Sequence, residues 1–162
     1  MAERPFGVLF VCTGNICRSP TAEGVLRELA RRRGALARVR IDSAGTHDYH
    51  VGEAPDPRAV AHAARRGYDL SPLRARQVSP RDFLEFDRVL AMDRGHLRLL
   101  EAIAPAGSPA SLAMFLDHSA QWRGRDVPDP YYGGARGFEE VLDMVEEASG
   151  RLLEEILAGT DR

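Results

Sequence analysis

The sequence predicts an α/β fold, a single doubly wound domain over residues 1–162 whose four-stranded parallel sheet is flanked by helices on both faces. Three observations point there. Short apolar runs rich in β formers alternate along the chain with segments whose apolar residues recur at helical spacing. Capping residues and prolines stand at the junctions, and strands alternating with helices imply crossovers that cover a parallel sheet on both sides. The 162 residues, 44% hydrophobic and 28% charged, suffice for one core of ordinary size.

The first run, Phe6-Gly7-Val8-Leu9-Phe10-Val11, is nearly all apolar, as a strand buried on both faces requires, and it ends at Cys12. After a polar loop, Pro20 stands in a first helical turn, and Ala22, Val25, Leu26, Leu29 and Ala30 follow at helical spacing as far as Gly34. Val39 to Asp42 forms a second strand. Asp56 and Pro57 supply the N-cap and first-turn proline of a helix closing at Gly67. Ser79-Pro80 opens a short helix, Arg88 to Met92 forms the third strand, and Asp93 caps a helix carrying Leu97, Leu100 and Ile103. Leu112 to Leu116 forms the fourth strand. The last helix gathers Phe138, Val141, Leu142, Val145, Leu152, Leu153 and Ile156 on one stripe; Glu139, Glu140, Glu146, Glu147 and Glu154 form a face read as solvated. From Asp117 to Gly137 there is no periodicity, and long loops of that kind in compact domains usually carry function.

Composition excludes several chemistries. All 22 basic residues are arginine, so a Schiff-base lysine and the lysine of a nucleotide-binding P-loop are both unavailable. A net charge of −2 argues against a general nucleic-acid binder. The charge is uneven: residues 1–81 hold 14 Arg against 8 acids and residues 82–162 hold 8 Arg against 16, which two interleaved halves with solvated helix faces explain. Cys12 and Cys17, the 2 cysteines, cannot frame a secreted disulfide scaffold and are too few for a structural zinc site. His62, His96 and His118 are scattered and read as surface or structural residues. With no apolar run of membrane-spanning length and no signal-like stretch before the first strand, a cytoplasmic protein independent of membranes is expected.

Ligands of open α/β sheets bind beyond the carboxyl ends of the strands, and here that place is Cys12. The segment Val11-Cys12-Thr13-Gly14-Asn15-Ile16-Cys17-Arg18-Ser19-Pro20 reads as an anion cradle. Loop amides can converge on one oxyanion, with Gly14 and Asn15 able to accept positive φ, while the following helix directs its positive end at the same point. Phosphate is the natural guest. A cysteine held there is favoured as the thiolate, and Arg18 adds a planar fork for two phosphate oxygens.

In this loop, and in Asp42-Ser43-Ala44-Gly45-Thr46, Ala75-Arg76-Gln77, Met92-Asp93 and Asp129-Pro130-Tyr131-Tyr132, the sequence resembles the low-molecular-weight protein tyrosine phosphatases over nearly its whole length. The resemblance implies hydrolysis of phosphotyrosine in proteins, with inorganic phosphate as product and no metal or organic cofactor. By position, Cys12 looks like the nucleophile that forms a phosphocysteine intermediate, and Asp129 like the general acid that then activates water. Arg18 and the loop residues Thr13, Gly14, Asn15, Ile16, Cys17 and Ser19 hold the phosphate, Ser19 also keeping the nucleophile ionised. Asn15 and Ser43 resemble a pair that supports the loop, and Tyr49, Tyr131 and Tyr132 would wall in a phenyl ring. Cys17 resembles a resolving thiol that protects Cys12 by a reversible disulfide. The chain departs from the family at Leu73, where relatives often carry a histidine; leucine cannot join the Asn15 and Ser43 network.

Two other enzymes of this fold are less well matched. Arsenate reductase needs further cysteines outside the loop, and protein arginine phosphatases typically carry threonine where Ile16 stands and a single aromatic after Asp-Pro. A noncatalytic phosphate-binding module would have no need of a reactive thiol. No long amphipathic stripe is left over for a partner, so a monomer is expected.

Overall fold

The computed structural model describes residues 4–159, the side chain of Tyr132 excepted. Its elements run β1 (Phe6–Cys12), α1 (Arg18–Arg32), β2 (Val39–Gly45), α2 (Pro57–Arg65), α3 (Asp82–Glu85), β3 (Arg88–Ala91), α4 (Arg94–Ile103), β4 (Ser111–Met114) and α5 (Ala135–Leu157), with 3₁₀ turns at Leu36–Arg38, Phe115–His118 and Pro130–Tyr132. The four strands form one parallel sheet in the order β2-β1-β3-β4. Chain order and spatial order therefore part at β1, whose neighbours are β2 on one side and β3 on the other. Crossovers leave the sheet in opposite directions there and open a crevice beyond the strand ends.

Every residue of β1 is buried, and its side chains alternate between two cores. Phe6, Val8, Phe10 and Cys12 pack with Leu90 and Met92 against α1, α2 and α5. Leu9 and Val11 face the other way with Val89 and Ala91, packing against Phe83 of α3 and Leu100 of α4. A strand with period-2 burial on both faces has no solvent side, which is why its sequence is an unbroken apolar run.

Several boundaries move for local reasons. β2 continues to Gly45, because Asp42 to Gly45 stay in register with Leu9 to Cys12. β4 stops at Met114, paired with the last residue of β3, and the Asp117 carboxylate draws the Met114 amide back at 3.3 Å as the chain turns into 3₁₀ geometry. Helix α1 starts at Arg18 with Cys17 at its N-cap, so Ser19 and Pro20 lie in the first turn. Two 3₁₀ turns and the early start of α5 at Ala135 shorten the stretch read as structureless.

The acidic face of α5 is not simply solvated. Arg66 bonds Glu139 at 2.6 Å, Asp143 at 3.0 Å and Glu146 at 2.6 Å; the Tyr68 hydroxyl donates to Glu146, Ser119 donates to Glu147, and Glu154 pairs with Arg33. The basic first half and the acidic second half of the chain thus neutralise one another across helix contacts. No helix among the described residues is long and apolar enough to cross a membrane.

Candidate active site

The carboxyl end of β1 delivers Cys12 to the crevice, and six residues later α1 begins with no side chain capping its amino end, so its first amides are free for a ligand. Between them the loop closes around a cavity of about 210 Å³ lined by Cys12, Thr13, Gly14, Ile16, Cys17, Arg18, Tyr49, His50, Asp129 and Tyr131. Nine of those ten are among the residues singled out in the sequence. His50 is the addition.

The loop conformation rests on Asn15, the one described non-glycine residue with positive φ, at 59°. Its side chain holds that backbone in place: Oδ1 accepts from the Arg76 amide at 3.0 Å, and Nδ2 donates to Ser19 Oγ at 2.8 Å and Ser43 Oγ at 2.9 Å. Gly14 does not use the left-handed region. It leaves room for His50, since a Cβ there would lie 2.8 Å from the ring and push it aside. Gly45 lets β2 pass beneath the loop, where a Cβ would come within 2.7 Å of the Thr13 carbonyl.

The polar chain behind the loop has a direction. Ser43 donates to Glu23 at 2.6 Å, so its oxygen is the acceptor for Asn15. Ser19 Oγ likewise accepts from Asn15, leaving its one proton for Cys12 Sγ at 2.9 Å in preference to the Ala44 carbonyl at 3.4 Å. Ser19 is therefore a donor to the cysteine. Glu23, the anchor of this chain, is buried on α1; burial pushes its carboxyl above the usual range, opposed by Ser43 and by Arg27 at 2.6 Å. Leu73 packs against the core instead, and Glu23 and the Arg76 amide supply the bonds that leucine cannot.

Arg18 is 4% exposed and held on two sides: one guanidinium nitrogen donates to Asp93 and to the Val127 carbonyl, both at 2.9 Å. Its other nitrogen lies 3.8 Å from Asp129 Oδ2. Asp93 caps α4 through the His96 amide; although burial works against its charge, that amide, His96 and Arg18 hold it below the usual carboxylate range. Asp129 is fixed by one oxygen, Oδ1, which accepts from the Tyr131 amide at 2.9 Å, so Oδ2 is the oxygen turned to the arginine.

Around the mouth, Tyr49 stacks on His47 with ring centres 4.9 Å apart, and Arg58, paired with Asp56, lies 5.3 Å from the Tyr131 ring centre. Tyr132 has its side chain outside the described set. Cys17 shares the cavity with Cys12; both are buried free thiols. Burial, with Asp56 and Cys12 adding to it, pushes the Cys17 thiol up to about 12.

His62 and His118 fit the structural reading, paired with Glu139 and Glu155. His96 does not. It is buried against the loop, with Nε2 2.8 Å from Thr13 Oγ1. One signal for it was available: a helix capped by Asp93 after a strand beside β1 must begin at the same crevice, with His96 in its first turn.

Residues 7–161 match the family model described as low molecular weight phosphotyrosine protein phosphatase. A low molecular weight protein-tyrosine-phosphatase of Streptomyces coelicolor is 48% identical over 151 residues, covering 91% of this chain and 92% of the relative. The solved protein tyrosine phosphatase of Entamoeba histolytica superposes with a TM-score of 0.91 at 35% identity, covering 96% of this chain and 99% of that one. The Drosophila arginine phosphatase structure superposes at 0.82 with 32% identity, covering 91% and 96%.

Proposed function

This chain belongs to the low molecular weight phosphotyrosine protein phosphatase family and is a protein-tyrosine phosphatase, and we propose that Cys12 is its nucleophile, Arg18 its phosphate clamp and Asp129 its general acid and base. The observation that carries the assignment is the bond from Ser19 to Cys12 on the floor of a cavity that Arg18 and Asp129 also line.

In the first step Cys12 sulfur attacks phosphorus as the bond to the tyrosine oxygen breaks, and Asp129 Oδ2 gives its proton to the leaving phenolate. Arg18 and the loop amides hold the equatorial oxygens, where charge is stabilised without reorganisation because Asp93 and Val127 already fix the guanidinium. In the second step the Asp129 carboxylate takes a proton from water, the water oxygen attacks phosphorus, and the sulfur–phosphorus bond breaks. Inorganic phosphate leaves and the thiolate is restored. Thr13, Gly14, Asn15, Ile16, Cys17 and Ser19 shape the cradle, Ser43 supports it, and Tyr49 and Tyr131 take the phenyl ring. The enzyme acts in this reading as a cytoplasmic monomer on phosphoproteins.

The test is hydrolysis of phosphotyrosine, phosphoserine and phosphoarginine by the wild type and Cys12→Ser, with reductant and chelator present. Phosphotyrosine turnover that vanishes in Cys12→Ser is expected. Preferential turnover of phosphoarginine would move the chain to the chemistry of its Drosophila neighbour, and binding without turnover would leave a noncatalytic module.

Cys17 completes the reading as a resolving thiol. Peroxide converts the Cys12 thiolate to a sulfenic acid, Cys17 condenses with it to a disulfide and water leaves, and an added thiol reductant restores both cysteines. A thiol held protonated at neutral pH does not compete with Cys12 for phosphate. After peroxide and then dithiothreitol, the wild type is expected to recover and Cys17→Ser to stay largely inactive. Equal recovery of the two would sink this assignment.

A further inference from the structure

His96 is 4% exposed, and its ring is wedged between the phosphate loop, Arg18 and Asp93. Nε2 lies 2.8 Å from Thr13 Oγ1 and 3.5 Å from an Arg18 guanidinium nitrogen. Nδ1 lies 3.1 Å from Asp93 Oδ1 but off the line of a directed hydrogen bond, so the contact is electrostatic.

These flanks decide where the ring proton sits. Arg18 can only donate, and the Asp93 carboxylate can only accept. A proton on Nε2 would oppose an N–H to the guanidinium at one end and a bare lone pair to the carboxylate at the other. A proton on Nδ1 removes both conflicts, and the Nε2 lone pair then receives the Thr13 hydroxyl and an Arg18 N–H. We propose that His96 is a positioning residue of the phosphatase, a neutral Nδ1–H imidazole that accepts from Thr13 and Arg18 and thereby sets one wall of the phosphate cradle. This rests on the phosphatase reading of the same site.

The consequence for the reaction lies in Arg18. Asp93 and Val127 restrain one of its terminal nitrogens, while the other faces Asp129 across the cavity. His96 restrains this second nitrogen without a formal charge, so it adds no further anion to the two carboxylates, Asp93 and Asp129, that already face the guanidinium. A carboxylate in its place would compete with the substrate anion. The groups facing His96 are Arg18 from α1, Thr13 from the loop, Asp93 at its own helix cap, and Asp126 and Asp129 from the segment before α5. Burial and then Arg18 bring its pKa down to about 4, the three carboxylates opposing, so the ring is neutral at pH 7.

Two measurements test this. Nitrogen-15 NMR of the imidazole in the wild type between pH 5.5 and 8 is expected to find the proton on Nδ1 and no titration. A proton on Nε2, or a charged ring at pH 7, overturns the proposal. Kinetically, His96→Leu is expected to weaken inhibition by inorganic phosphate and raise KM for p-nitrophenyl phosphate about tenfold, the scale of a lost hydrogen bond to a charged group. His96→Asn, which keeps an acceptor, is expected to recover most of that loss. A His96→Leu protein that melts earlier but binds phosphate as tightly as the wild type shows that the ring only packs, and the proposal fails. If His96→Leu does not fold, Thr13→Val supplies the second arm: it is expected to weaken phosphate binding and shift the Nε2 resonance, and no change in either refutes the bond. Because Cys12-dependent turnover by the wild type is read separately, loss of the phosphatase assignment and loss of this one are distinguishable.

Discussion

The floor and the rim of the cavity are built differently. On the floor Cys12, Asn15, Arg18, Ser19, Ser43 and His96 are all buried, and each has a named polar partner within 3 Å. On the rim Tyr49 is 65% and Tyr131 42% exposed; Tyr49 stacks on His47, and Arg58 lies over the Tyr131 ring. A phosphoryl group is the same in every substrate, so the groups that hold it gain from rigidity and from being fixed before the substrate arrives. The alcohol that carries the phosphate varies, and an exposed aromatic rim can meet it without disturbing the floor. Asp129 stands between the two, one carboxylate oxygen anchored to the Tyr131 amide and the other facing Arg18.

The sharpest way to break that division is through Asp129. Asp129→Asn keeps the anchoring acceptor but cannot carry a proton, so kcat for phosphotyrosine is expected to fall by about 10²- to 10³-fold, within the range of general acid–base catalysis. With an activated phenol as leaving group, which needs little protonation, formation of the phosphocysteine is expected to fall much less. Presteady-state release of the phenol separates the two steps. An equal loss for good and poor leaving groups in that first step would show that Asp129 orients the substrate instead of protonating it.

The floor also makes a prediction about stability. His96 titrates near 4 when folded and near its ordinary value of 6.5 when unfolded. Between those values the unfolded chain binds a proton that the folded chain refuses, so stability rises with pH across the window and is lost as pH falls from about 6.5 to 4. The loss is on the order of 3 kcal/mol at the bottom of the window. Urea denaturation at pH 7, 5.5 and 4.5 measures it, and His96→Asn is expected to flatten the slope. An unchanged slope in that variant would assign the acid sensitivity to other groups.

What the sequence could reveal divides along the same line. Cys12 to Ser19 is a contiguous strand end, loop and helix start, so local pattern alone singles out this loop. Asn15 and Ser43 stand 28 residues apart and came only with the family likeness. The restraints on Arg18 come from Asp93, 75 residues away, and from the Val127 carbonyl, 109 away, and no periodicity encodes such contacts. Glu23 was hidden for another reason: on a helix with apolar neighbours a glutamate reads as surface, and only the packing of β2 against α1 turns it to Ser43. The glutamates of α5 look solvated in sequence because their partners Arg33 and Arg66 belong to segments distant in the chain.

The rim gives the smallest expected effect and the one that best tests the division. A phenyl ring lying against Tyr49 or Tyr131 gains about 0.5–1.5 kcal/mol beyond the area it buries, which corresponds to roughly two- to tenfold in binding. Tyr49→Ala is therefore expected to raise KM for a phosphotyrosine peptide several-fold, with kcat within about twofold and inhibition by inorganic phosphate unchanged, because phosphate reaches the floor without touching the rim. Tyr131→Ala is expected to differ in one respect. The Tyr131 amide remains to hold Asp129, but losing the ring removes a surface on which Arg58 lies and loosens the segment that carries Asp129, so kcat is expected to fall along with the rise in KM. If Tyr49→Ala weakens phosphate inhibition as much as it raises KM, rim and floor are mechanically coupled, and the rigidity of the cradle depends on the rim.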